Sequence, residues 1–212
     1  KGTLLVPGTN GGADWGGAAF DPETSMLYVP SAHMPTVIAL GKSQHPESTL
    51  PYVKQQVTWP LGPQGLPDPF KPPYSRLVGI DLNKGEIAFS VANGDGLRNH
   101  PAFNGLNLPP LGNPGRSAPL VTRTLLFVGE GDPIMAAPAR VPAGMPLSLA
   151  PGAGDRKFRA YDKATGRVLW ETDLPAGTTG APMTYLFNGK QYVVVAVGSR
   201  EHAAEFVAFS LP

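Results

Sequence analysis

The segment Ala160-Tyr161-Asp162-Lys163-Ala164-Thr165-Gly166-Arg167-Val168-Leu169-Trp170 packs a strand, an Asp-to-Gly turn and a second strand ending in Trp into eleven residues. Asp162 can accept hydrogen bonds from turn amides, Gly166 can take positive φ, and Trp170 brings a large ring whose N–H needs a partner. One hairpin cannot bury such a ring against itself. The pattern calls for sheets stacked side by side about an axis, of which a propeller is the commonest form.

Two weaker copies precede it. Gly79-Ile80-Asp81-Leu82-Asn83-Lys84-Gly85-Glu86-Ile87-Ala88-Phe89 keeps the Asp, the Gly and a final aromatic, while Ala19-Phe20-Asp21-Pro22-Glu23-Thr24-Ser25-Met26-Leu27-Tyr28-Val29 keeps the Asp turn and ends in Tyr-Val. Proline-rich stretches make the spacing uneven. A single Asp-turn hairpin implies only antiparallel β structure; three aromatic-terminated versions favour blade-like repeats over an unrelated sandwich.

The 26 Gly, 25 Pro and 16% charged residues describe a loop-rich β chain, since Pro at this frequency breaks long helices, and 42% apolar residues argue for a folded core. A length of 212 residues fits one domain spanning 1–212. The net charge of +1, with 17 dispersed Lys and Arg, gives no field for nucleic acid or an anionic membrane. The absence of Cys excludes disulfides, thiolate metal sites, a Cys nucleophile and covalent c-type haem attachment. No apolar run approaches the roughly 20 residues that span a bilayer. The chain opens at Lys1 directly into a strand, as if cut from something longer.

Alternation and β-branched content predict strands at Thr3–Val6, Ala18–Phe20, Met26–Pro30, Arg76–Asp81, Ile87–Val91, Ala118–Val121, Leu125–Gly129, Phe158–Asp162, Val168–Thr172, Pro182–Phe187, Gln191–Val197 and Glu205–Ser210, with Asn188-Gly189 as the strongest hairpin turn. Ser43 to Tyr74, Gly94 to Pro114 and the nearly charge-free Pro133 to Gly154 read as long insertions, which in a compact β domain are usually functional or partner-facing.

Three blocks carry a family resemblance. Leu174-Pro175-Ala176-Gly177-Thr178-Thr179-Gly180-Ala181-Pro182-Met183-Thr184-Tyr185, followed by Asn188-Gly189-Lys190-Gln191-Tyr192-Val193-Val194-Val195, resembles the last blade of the quinoprotein dehydrogenases that use pyrroloquinoline quinone (PQQ), of the membrane glucose dehydrogenase and alcohol dehydrogenase type. Gly2-Thr3-Leu4-Leu5-Val6-Pro7-Gly8 with Gly12-Ala13-Asp14-Trp15-Gly16-Gly17-Ala18 resembles a further family block, and the hairpin at Ala160 completes a similarity over nearly the whole chain. The resemblance implies an all-β fold, a partial β-propeller of about four blades out of a family eight-bladed propeller, with long Pro/Gly-rich loops. It also implies PQQ in the central funnel beside Ca²⁺ or Mg²⁺, with an aspartate base elsewhere. The match starts after the segment where such enzymes carry the base, a cofactor-binding Lys or Arg and most metal ligands. The chain thus resembles their C-terminal half and is expected to lack the catalytic base.

The same resemblance singles out five cofactor-binding candidates. Asp14 sits where the family has an Asn or acidic side chain near the quinone oxygens; its other reading is support of a Gly-rich turn. Trp15, flanked by glycines, can offer its ring to a planar ligand or pack in the core. Asp155, ahead of Arg156-Lys157-Phe158-Arg159, matches an acidic position that contacts the quinone, with Asp132 as the alternative alignment. Phe127 holds the approximate place of a stacking Trp, against a plain core Phe. Arg116 can pair with one of the three carboxylates of the cofactor, or stand as a solvated loop residue. No catalytic or metal-ligating residue is assigned: His33, His45, His100 and His202 lack ligand spacing, Ser117 and Ser199 lack a nucleophile elbow, and the glycine pairs open no phosphate-binding helix.

The resemblance implies a periplasmic oxidoreductase fragment, membrane-associated through a missing N-terminal part, acting on an alcohol or sugar and passing electrons to ubiquinone or a cytochrome. Two exposed strand edges invite an N-terminal half chain or a homodimer. The competing reading is a non-catalytic PQQ-like-repeat propeller that binds other proteins, which needs the hairpin repeat but neither the Gly-Gly-Ala-Asp-Trp block nor the long loops. A truncated chain that folds poorly is a third.

Overall fold

The aromatic-terminated segments form their Asp turns in the computed structural model, which describes residues 2–8, 11–13, 16–33, 35–56, 70–99, 103–133, 156–199 and 202–211. Asp162 Oδ1 accepts from the backbone N–H of Ala164 (3.0 Å) and Thr165 (2.9 Å) and from the Thr165 hydroxyl (2.8 Å), and the Gly166 N–H donates to the Asp162 carbonyl at 2.9 Å. Asp81 repeats this with the amides of Asn83 (3.0 Å) and Lys84 (3.3 Å) and with Gly85 N–H on its carbonyl (2.8 Å). Asp21 takes the Glu23 amide (3.1 Å) and the Thr24 hydroxyl (2.7 Å). Gly85 and Gly166 both stand at φ 70°; Ser25, in the same place, is forced to φ 58°.

In chain order the strands are β1 (Thr3–Leu5), β2 (Ala19–Asp21), β3 (Met26–Ala32), β4 (Thr36–Gly41), β5 (Val53–Gln56), β6 (Ser75–Asp81), β7 (Glu86–Ala92) and β8 (Gly115–Arg116). They continue as β9 (Pro119–Val121), β10 (Leu125–Gly129), β11 (Asp132–Pro133), β12 (Lys157–Asp162), β13 (Val168–Asp173), β14 (Met183–Phe187), β15 (Lys190–Val197) and β16 (Glu205–Ser210). Every strand expected from alternation is present within a residue or two of its expected ends; β4, β5, β8 and β11 are additions. The Asn188-Gly189 hairpin joins β14 to β15 with both residues at positive φ.

β2-β3-β6-β7 and β9-β10-β12-β13 are four-stranded antiparallel sheets in which neighbours in space follow one another in order, and β14-β15-β16 is a three-stranded one. β1 pairs with β4, just ahead of the first insertion, and β4 pairs with β5 inside it. The result is a partial propeller, with no closed barrel among the described residues. The stacking shows in the core. Tyr28 and Leu77 of the first blade meet Leu126, Val128 and Tyr161 of the second in one cluster, while Phe158 of the second meets Val193, Val195 and Val197 of the third in another. β12 therefore buries Phe158 on one face and Tyr161 on the other, so the second blade is covered on both sides. Each fully buried Leu, Val or Phe contributes about 2 kcal/mol, which is what holds blade to blade.

Polar ties pin the first blade to the second. Lys163 Nζ reaches Asp21 Oδ2 at 2.5 Å and the Thr122 carbonyl at 3.4 Å, and the Tyr28 hydroxyl donates to the Lys163 carbonyl at 3.0 Å. Among the described residues no helix is long and apolar enough to cross a membrane.

Candidate cofactor wall

Gly16 explains how two sequence blocks come together. A Cβ at this position would collide with the carbonyl oxygen of Ser117, so only glycine permits the approach. The Gly12 carbonyl accepts from Ala32 N–H (2.9 Å), anchoring the same loop to the end of β3. The glycine block is thus set against β8, which carries Arg116, an exposed residue. β8 pairs with β11 so that Asp132 stands in register with Arg116.

Asp14 and Trp15, between Gly12 and Gly16 in the sequence, lie outside the described residues, as does Asp155. Phe127 is elsewhere: its ring stacks on Phe158 with centroids 5.9 Å apart, against the cluster between the second and third blades. The structure therefore joins the glycine block to Arg116 and sets Phe127 in the packing behind.

Beneath Arg116 runs a buried polar network that sequence reasoning missed. Ser117 Oγ accepts from Asn93 Nδ2 (2.8 Å) and donates to the Glu130 carbonyl (3.2 Å). Glu130, fully buried, takes Asn113 Nδ2 on Oε2 (3.1 Å) and Arg159 Nη1 on Oε1, and Arg159 Nε goes on to Glu171 Oε2 (3.0 Å). The Tyr161 hydroxyl closes the set on Asn93 Oδ1 (3.2 Å). Burial opposes the Arg159 charge, but the Glu130 carboxylate more than offsets it and raises its pKa further. Burial also pushes the Tyr161 phenol up to about 12, so it stays protonated as a donor. A network satisfied at every member rigidifies the segments it joins; here those are the residues just past β7 and β10, the interior of β12 and the residue after Arg116. The sequence signal was available: Glu130 sits between Gly129 and Gly131, directly after the apolar strand Leu125–Val128.

The chemistry of this face suits an anionic planar group: a guanidinium on a braced strand, next to a glycine loop that admits close backbone approach. Among the described residues no group of three or more His, Asp or Glu could hold a metal ion.

Stacked antiparallel sheets, with a glycine block set against an Arg-bearing strand, define a partial β-propeller. Residues 1–193 match the family model described as PQQ, glucose/ethanol/alcohol dehydrogenase, beta-propeller domain, and the chain belongs to that family. It is 29% identical to the quinoprotein glucose dehydrogenase of Gluconobacter oxydans (strain 621H) over 100% of this chain and 28% of that protein. It is 28% identical to the quinohemoprotein alcohol dehydrogenase of Comamonas testosteroni over 91% of this chain and 22% of that protein. A solved europium-containing methanol dehydrogenase superposes with a TM-score of 0.57 at 26% identity, over 93% of this chain and 26% of that one. The chain spans about a quarter of the length of these relatives.

Proposed function

We propose that this chain is the C-terminal portion of a PQQ-dependent dehydrogenase that oxidises an alcohol or aldose hydroxyl, and that it is incomplete on its own. The observation that carries this reading is the close approach of Gly16 to Ser117, which brings the glycine block against the residue that follows Arg116. A propeller built only as a repeat scaffold has no need of that contact.

When bound, the quinone supplies an acceptor for two electrons from the substrate C–H bond. The chain's own residues bind and orient. Arg116 pairs with a cofactor carboxylate, the glycine loop brings its backbone near, and Asp14, Trp15 and Asp155 complete the wall. A hydrogen-bond donor beside the quinone oxygens would stabilise the negative charge that reduction builds there, a role that Asp14 fills only when protonated. Glu130 is held by Arg159 and Asn113, where it braces the wall. The base and the Ca²⁺ or Mg²⁺ ligands are assigned to a companion segment. The periplasm as the site of action, with ubiquinone or a cytochrome as acceptor, completes the proposal.

Quenching of intrinsic fluorescence during titration with PQQ, in the presence of the companion polypeptide, tests the wall. Arg116→Ala should weaken PQQ binding by about 10-fold, the scale of one charge-assisted hydrogen bond. An unchanged affinity would remove Arg116 from the site.

A further inference from the structure

Ser117 lacks the surroundings of a nucleophile, yet each of its polar atoms is engaged. Its N–H donates to the Gly115 carbonyl (3.0 Å), and its Oγ accepts from Asn93 Nδ2 (2.8 Å) and donates to the Glu130 carbonyl (3.2 Å). Its own carbonyl oxygen stands against Gly16. The residue is buried, so removing one of these bonds leaves a partner that water does not readily satisfy. The peptide ahead of it is confined as well. A Cβ on Gly115 would collide with the Glu130 carbonyl oxygen, and one on Gly131 would collide with the carbonyl group of Arg116. The backbone of Arg116 is thus pressed against the 130–131 segment, while the residue itself stays exposed.

Asn93 is the part of this clamp that comes from the other blade. It follows β7 of the first blade and is fully buried. Its N–H donates to the Ser75 carbonyl (3.0 Å) and its carbonyl accepts from the Asn113 N–H (2.8 Å), so the carboxamide is delivered to Ser117 from a fixed main chain. Its Oδ1 takes the Tyr161 hydroxyl (3.2 Å). At the opposite end of the same strands, Lys163 ties Asp21 to the Thr122 carbonyl. The two blades therefore stay docked without Asn93, and the effect of the Asn93–Ser117 bond is local to Arg116.

We infer that Ser117 and Asn93 are positioning residues for Arg116: the first blade sets the angle at which the second blade presents its guanidinium. An arginine side chain has many rotamers, and a backbone fixed beneath it lowers the entropy lost when its planar fork meets a carboxylate. The inference rests on the proposed pairing of Arg116 with a cofactor carboxylate and adds how that pairing acquires its geometry. Neither Ser117 nor Asn93 is assigned a contact with the cofactor.

A double-mutant cycle on PQQ affinity tests this, read by quenching of intrinsic fluorescence with the companion polypeptide present. Ser117→Ala should weaken PQQ binding by about 5-fold, the scale of one net hydrogen bond. Ser117→Thr, which keeps the hydroxyl, should restore it. In the Arg116→Ala background, Ser117→Ala should change affinity by less than about 2-fold, because the group it positions is gone. Tyr161→Phe removes the other side-chain bond of Asn93 and controls for plain destabilisation: it should lower the unfolding temperature yet keep affinity within about 2-fold of the parent. Without PQQ, amide exchange at Arg116 and Ser117 should quicken by about 10-fold in Ser117→Ala and in Asn93→Ala, while exchange in β15 stays unchanged. An equal loss of affinity with and without Arg116, or unchanged exchange at Arg116 and Ser117, would overturn the inference. A response to Arg116→Ala with none to Ser117→Ala would overturn it alone, whereas affinity that ignores Arg116→Ala would overturn the reading of the wall and this inference with it.

Discussion

The ring of Phe89 in the first blade lies over Gly166 in the turn of the second: a Cβ built on that glycine would stand 2.5 Å from Phe89 Cδ2. The glycine thus serves twice, as the residue that tolerates φ 70° and as the floor on which the neighbouring ring rests. Gly85 has the same φ but nothing within 4 Å of an added Cβ. Gly85→Ala should therefore cost only the backbone strain, about 1 kcal/mol, whereas Gly166→Ala should cost that plus overpacking, about 2–4 kcal/mol in all. Urea unfolding of the two variants separates these terms. Equal losses would show that Phe89 does not rest on Gly166.

Ser25 occupies the glycine position of the first Asp turn at φ 58°. Ser25→Gly should relieve that strain and raise stability by about 0.5 kcal/mol, the entropy of the freer unfolded chain cancelling part of the gain. A shift of the unfolding midpoint toward lower urea would contradict the equivalence of the three turns.

Those turns were legible in the sequence because each is local: the Asp, the Gly or Ser at positive φ and the closing aromatic lie within eleven residues. Strands with clean alternation were legible for the same reason. β4 and β5 were not, since they lie in or beside a proline-rich insertion, and β4 pairs with β1, more than thirty residues before it, while β5 pairs only with β4. The buried network was hidden differently. Asn93, Asn113, Ser117 and Glu130 stand singly at strand ends, where each reads as a loop residue, and only the blade stacking brings them together. The glycine block and Arg116 were both singled out, but their adjacency required the fold.

Removing one member of a buried ion pair leaves the other charged and unpaired, so Glu130→Ala should destabilise by about 3–5 kcal/mol. Glu171 is 44% exposed, and Glu171→Gln should cost less than about 1 kcal/mol although it also bonds Arg159. Thermal unfolding of both variants checks the contrast. Similar losses would mean that Arg159 leans on Glu171 rather than Glu130.

Acid should weaken the blade turns. The Thr165 hydroxyl and the amides of Thr165 and Ala164 hold the Asp162 carboxyl below the usual carboxylate range. At Asp21 burial acts in the opposite sense, but the Lys163 ammonium, Thr24 and the Glu23 amide outweigh it, and its pKa is also lowered. A folded value below the unfolded one means that the native state binds fewer protons. The contribution is complete above the unfolded value, about pH 4, and is lost as pH falls through the folded values. The melting temperature followed by circular dichroism should fall below about pH 4. Asp21→Asn should lower it at neutral pH and flatten that acid limb; an acid limb as steep as in the parent chain would contradict the assignment.

Dye-linked oxidation of ethanol, glycerol and glucose, after incubation with PQQ and Ca²⁺, bears most directly on the reading of this chain as one wall of a quinone pocket without its base. The account predicts no turnover by the chain alone and turnover when the polypeptide carrying the remainder of the propeller is added. Turnover by the chain alone, at a rate matched to its bound PQQ, would contradict it.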